Sequence, residues 1–265
     1  MFLSDSLSPR FERSQLVEVI CQLRFPTILS IDARDPADFQ DAIRAMFPRY
    51  AVRKEQLPPK LVGAGTPNAK PEPPAPINNY QFVSMDGRWK LNLTKNFIAL
   101  STVTYPGWEN FAGHFDRPLA EFIRIYQPAF FERIGLRYLN AFSRTSLGLE
   151  HTPWRELFDD AYLGPLVHED MPEQSFTKVS LDTEAALSGG CRARIHSGTG
   201  IIKRNIPNAP PDNEVKFILD IDLSMSGQTE PRLAAAGLET LHRHASSIFN
   251  GAITDTLRNA LGADR

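Results

Sequence analysis

Cysteine, net charge and long apolar runs are all scarce in this chain, and each scarcity removes a class of protein. Only two cysteines, Cys21 and Cys191, occur in 265 residues. They are too few and too far apart for a disulfide framework, which points to small buried hydrophobes in a reducing compartment. Basic and acidic residues nearly cancel, 29 against 31, so no global field draws the chain to nucleic acid or an anionic membrane, and any such contact must be local. No apolar stretch approaches bilayer length, and the opening MFLSDSLSPRFERS lacks the apolar core of a signal peptide. A soluble, cytoplasmic protein with no membrane partner is the expectation.

Patterns that carry chemistry are equally sparse. Gly198-Thr199-Gly200 is a lone GxG without the following glycine or helix of a phosphate loop, and reads as a turn. His242 and His244 stand two apart in a helical pattern, which points them roughly 200° apart and suits solvent-facing or capping roles better than metal binding. Neither a nucleophile elbow nor a reactive-cysteine signature is present. No catalytic residue and no cofactor can be assigned, and a non-enzymatic binding role is the leading expectation.

What the chain does have is 42% hydrophobic residues in clear periodic patterns, enough for a sizeable core. Leu16–Phe25 alternates as a half-buried strand, followed by a helix capped at Asp35-Pro36 that carries Phe39, Ile43, Met46 and Phe47 and stops at Pro48. After a short strand near 50–56, the segment 57–76 collapses into proline, glycine and alanine and reads as a flexible loop, with PEPPAP a possible peptide ligand. Strands at 80–85, 89–93 and 97–104, separated by Asp86-Gly87 and Lys95-Asn96, form a meander. Phe111, Phe115, Leu119, Phe122 and Tyr126 mark a helix over about 109–126, with Pro118 either kinking it or following a new cap at Asp116.

The second half runs through the same programme. A strand at 134–142 leads to a short helix at 153–160 opened by Thr152-Pro153, then strands near 176–184, 192–197 and 215–225. A long closing helix carries a stripe from Leu238 to Leu261. The expected fold is α+β over residues 1–265 as a single domain: a curved antiparallel sheet backed by two long helices, built from two similar β-α-β(n)-α halves of about 1–130 and 131–265. This order of elements resembles the TATA-binding-protein-like or helix-grip arrangement, a likeness of topology that implies no function.

Three segments, LVEVICQLRFP at Leu16–Pro26, RIGLRYLN at Arg133–Asn140 and IFNGAITDTLRNALG at Ile248–Gly262, resemble signatures of a sporadically distributed prokaryotic protein family without an established activity. The resemblance implies an accessory role of the defence or toxin–antitoxin kind. It carries over neither catalytic nor binding residues.

Candidate ligand or anion-binding residues therefore come from local patterns. Arg137 and Tyr138 lie on opposite faces of one strand, the arginine suited to an anion or a structural ion pair and the tyrosine to the core. Gly189–Asn205 is basic without a single acid, offering Arg192, Arg194 and His196 on one strand face, followed by Lys203 and Arg204. These residues fit nucleotide or nucleic-acid binding, or pairing with acidic strands across the sheet. Asp220 and Asp222 share a strand face, with Asp182 and Glu184 as expected neighbours, and are the weak candidates for a divalent cation and a metal-dependent activity. The favoured partner is another protein or a second copy of the chain, engaged through the exposed sheet surface.

Overall fold

The computed structural model describes residues 11–56, 60–62, 70–73, 75–202 and 212–262. From β1 (Leu16–Arg24) the chain passes through two short helices, α1 (Ser30–Ala33) and α2 (Ala37–Ile43), to the strand β2 (Arg49–Glu55). A ribbon of β3 (Lys60–Val62) paired with β4 (Lys70–Glu72) follows, then β5 (Ile77–Val83), β6 (Trp89–Leu93), β7 (Phe97–Thr102) and α3 (Trp108–Tyr126). The second half comprises β8 (Phe131–Phe142), the single turn α4 (Arg144–Leu147), β9 (Ser180–Ala186), β10 (Cys191–Gly200), β11 (Lys216–Thr229), α5 (Ala234–Ala252) and α6 (Asp255–Ala260).

The fold is α+β on a nine-stranded antiparallel sheet, in the order β2-β5-β6-β7-β1-β8-β11-β10-β9. The strands meet at β1 and β8, which pair from Leu16↔Asn140 to Arg24↔Arg133. Alternation sorts each strand between two faces. On β1, Val19, Cys21 and Leu23 are fully buried; on β11, Phe217, Leu219, Ile221 and Leu223 are, while Asp220 and Asp222 between them reach solvent. One contiguous cluster of buried apolar side chains draws on both halves, from Phe39 and Phe82 to Phe217 and Leu257.

Both α3 and α5 contribute apolar side chains to this cluster. On α5, Leu238, Leu241, Ala245 and Ile248 recur at helical spacing and pack on β8 and β11. Gly237 allows the close approach, since a Cβ there would lie 3.2 Å from Ile134 Cδ1. On α3, Phe122 packs against Phe25, just past β1, and Phe131 of β8, at ring separations of 4.8 and 6.4 Å. No helix among the described residues is long and apolar enough to cross a membrane.

Several expectations need correction. Asp35 does not cap α2 with its side chain; its backbone carbonyl accepts from Ala37 N–H, and the chain has already made α1. Thr152-Pro153 opens no α-helix but a series of 3₁₀ turns at Trp154–Glu156, Asp160–Tyr162 and Gly164–Val167; Trp154, Leu157, Phe158, Tyr162 and Leu163 in and between them are buried, and the backbone of Leu157 and Asp159 bonds to Thr254 and Ala252 instead of continuing a helix. Pro118 lies buried within a single helix, and Asp116 starts no second one. The closing helix is two: Ile253 is extended and bridges Phe158, and the Thr254 hydroxyl then caps α6 by accepting from Leu257 N–H. Gly198-Thr199-Gly200 is not a turn but the end of β10. The proline-rich segment is not strand-free, since β3 and β4 fall within it; most of its other residues lie outside the described ones.

Candidate functional site

Strand register places the sequence-selected charges in rows across the face opposite the buried apolar side chains. One row runs Ile20, Arg137, Asp222, Arg194, Glu184 across β1, β8, β11, β10 and β9; the next runs Glu18, Leu139, Asp220, His196, Asp182. Thus Arg137, Arg192, Arg194, His196, Asp220 and Asp222 share one surface. Lys203 and Arg204 lie outside the described residues.

Between β8 and β11 the charges pair diagonally, whereas between β10 and β9 they pair straight across. Arg137 donates Nε to Asp220 Oδ1 at 2.8 Å and Nη2 to Oδ2 at 2.5 Å, a two-pronged pair that raises the guanidinium's pKa further. Arg133 reaches Asp222 at 3.2 Å by folding over Gly135, where a Cβ would come within 2.3 Å of Arg133 Nη1. Arg194 pairs with Glu184 at 2.8 Å and His196 Nδ1 lies 3.0 Å from Asp182. Because β10 lies between β11 and β9, its bases separate Asp220 and Asp222 from Asp182 and Glu184. The anticipated four-carboxylate surface does not form, and no group of three metal-ligating side chains occurs among the described residues.

At one end of this face the balance tips to positive. Arg133, Arg192 and Arg194 line a concavity of about 560 Å³ together with Ser224, Ser226, Gly190 and the single carboxylate of Asp222. Arg192 is exposed and, among the described residues, has no acidic partner. Arg24, also exposed, sits opposite Arg133 in the β1–β8 register. Sequence reasoning selected Arg192 and Arg194 but missed Arg133, Ser224 and Ser226. Their signal was available: Arg133, Gly135 and Arg137, like Asp220, Asp222, Ser224 and Ser226, follow the period of two that assigns one strand face.

Behind Arg137, Tyr138 points into the core as expected, with 7% of its surface exposed. Its hydroxyl lies 2.9 Å from His242 Nδ1 and 3.4 Å from the Tyr105 hydroxyl. Trp108 stacks on the His242 ring at 4.5 Å and donates its indole N–H to Glu239. His242 is therefore not a solvent-facing residue. Burial raises both tyrosines, Tyr105 to about 12 and Tyr138 well above its usual value. Burial also depresses His242, against the opposing pull of Glu239 and Glu109.

That depression fixes a sign. The unfolded histidine takes up a proton at a higher pH than the folded one, so the stability from this group is complete above about 6.5 and falls as pH drops through that value toward the folded pKa. His242→Gln is expected to melt below the wild type at about pH 7.5, with the gap narrowing toward about pH 5. Thermal melts at the two pH values check this, and a constant gap would contradict it.

Compared with known proteins, the chain matches no family model and no curated relative.

Proposed function

We propose that this chain is a non-enzymatic, cytoplasmic binding subunit whose open sheet face docks a partner protein. The observation that carries the reading is the ladder of interlocked charges on that face: Arg133–Asp222, Arg137–Asp220, Arg194–Glu184 and His196–Asp182, held on the four adjacent strands β8, β11, β10 and β9. Charges of both signs at fixed spacing give specificity and register to a protein contact, whereas a nucleic-acid surface calls for uninterrupted positive charge. The acids also argue against a metal-dependent activity. Asp220 and Asp222 already accept from guanidinium groups, and a cation would have to displace them.

The wider architecture supports the same reading. In our interpretation the sheet is curved, backed by α3 and α5, and made of two versions of one unit, about 1–130 and 131–265. In the first, β1 adjoins β7-β6-β5; in the second, β8 adjoins β11-β10-β9; in each a 19-residue helix follows the strands. Such pairing about β1 and β8 resembles the TATA-binding-protein-like or helix-grip order, and it spreads one broad surface suited to a macromolecular partner. An accessory role, of the defence or toxin–antitoxin kind, fits a small module without its own chemistry.

The test is association. The chain is co-expressed with the products of its flanking genes and, separately, sedimented alone at micromolar concentration. A stoichiometric partner or a defined self-complex is expected. Arg194→Gln, at a side chain 67% exposed, is expected to weaken that complex at least tenfold, about 1.4 kcal/mol, with the melting temperature little changed. A chain that stays monomeric without a stoichiometric partner, or a complex indifferent to Arg194→Gln, overturns the reading.

A further inference from the structure

We infer that the positive end of the sheet face is a binding site for a small ligand carrying a phosphate or diphosphate group. This goes beyond protein docking and does not require the partner. The concavity of about 560 Å³ presents three guanidinium groups, from Arg133, Arg192 and Arg194, and two hydroxyls, from Ser224 and Ser226, against the one carboxylate of Asp222. Its volume falls within the range of small-molecule sites.

The division of labour among the arginines is what points to an anion. Arg133 is tied to Asp222 at 3.2 Å and Arg194 to Glu184 at 2.8 Å, so both are held in place. Arg192, one residue pair along β10 from Arg194, has Ser224 and Ala186 opposite it in register instead of an acid. On the other side, Arg24 and Arg133 stand directly opposite one another on β1 and β8. Like charges so placed repel and destabilise a sheet unless an anion joins them. Everywhere else on β8 to β11 the outward bases have matched acids; in the concavity Arg192 has none among the described residues, and neither has Arg24 beside it on β1.

Planar forked guanidinium groups and hydroxyl donors are the chemistry that recognises a phosphoryl group, with Asp222 keeping Arg133 extended over Gly135 toward the site. The ligand is expected to sit with its phosphate on Arg192, flanked by Arg133 and the serine hydroxyls. Binding involves no covalent step.

Isothermal titration of the purified chain with inorganic pyrophosphate and with ADP tests this. Binding of either probe at micromolar to low millimolar concentration, weakened at least tenfold by Arg192→Ala and unaffected by Arg53→Ala on the distant strand β2, supports the site. Binding of ADP alone would also support it and place the nucleoside in the contact. No binding of either probe, equal binding by Arg192→Ala, or an equal response to sulfate overturns it. So does much tighter, steeply salt-dependent binding of a single-stranded oligonucleotide. Because Arg192 is exposed, its removal leaves the fold intact, and a melt of the variant verifies that. A failed titration leaves the protein-docking test untouched, and the reverse holds as well.

Discussion

A chain ending at Leu233, before α5, is expected to show no cooperative thermal transition and to accumulate as aggregate. α5, the extended Ile253 and α6 bury Leu238, Leu241, Ile248, Ile253, Leu257 and Leu261 at no more than 7% exposure each. At about 1.5–3 kcal/mol per side chain this burial is worth on the order of 10–20 kcal/mol gross, comparable with the whole net stability of a typical domain, about 5–15 kcal/mol. The loss would not stop at apolar area. Asp159 N–H donates to Ala252 C=O and Thr254 N–H to Leu157 C=O, so the 3₁₀ region beneath β8 would lose backbone partners. The uncovered β8 and β11 would then present a wide apolar face. Circular dichroism melts of the truncated chain check the expectation; a sharp transition near that of the full chain would contradict it.

Gly198→Ala is expected to be the most damaging conservative substitution in the sheet. A Cβ at Gly198 would stand 2.1 Å from the carbonyl oxygen of Val179 and 3.1 Å from Ser180 Cα. The obstacle is backbone, which cannot rotate away as a side chain would. Moving it pulls β9 from β10 at the Gly198↔Ser180 pair and breaks the bond from Thr199 N–H to Val179 C=O. A cost of about 3 kcal/mol follows from such overpacking, lowering the melting temperature by roughly 6–12 °C. Gly200→Ala is the matched control, because there a Cβ meets only Ile218 Cγ1 at 3.6 Å, ordinary contact distance. If both variants melt alike, the close approach of β9 and β10 is not what selects glycine at 198.

Legibility followed the range of the interaction. The meander, β6 as Trp89–Leu93 above all, could be read directly, because alternation and a turn such as Asp86-Gly87, with Gly87 at φ +74°, are local properties. The split between Arg137 outside and Tyr138 inside was legible for the same reason. The break at Ile253 was not, since its apolar neighbours continue the helical stripe; the break is enforced by pairing with Phe158, nearly a hundred residues away. The 3₁₀ region around Trp154 was misread because a capped proline starts a turn and a helix equally well.

In the candidate site, periodicity by itself determined which side chains face outward on each strand, and so which residues were eligible: Arg192, Arg194 and His196 on one strand, Asp220 and Asp222 on another. It could not say which strands are neighbours. Tertiary structure decided that β10 lies between β11 and β9, which dispersed the carboxylates among the bases, and that β1 adjoins β8, which set Arg24 opposite Arg133. Strand order depends on closing long loops around one shared core, a cost and a gain that no local window of sequence contains.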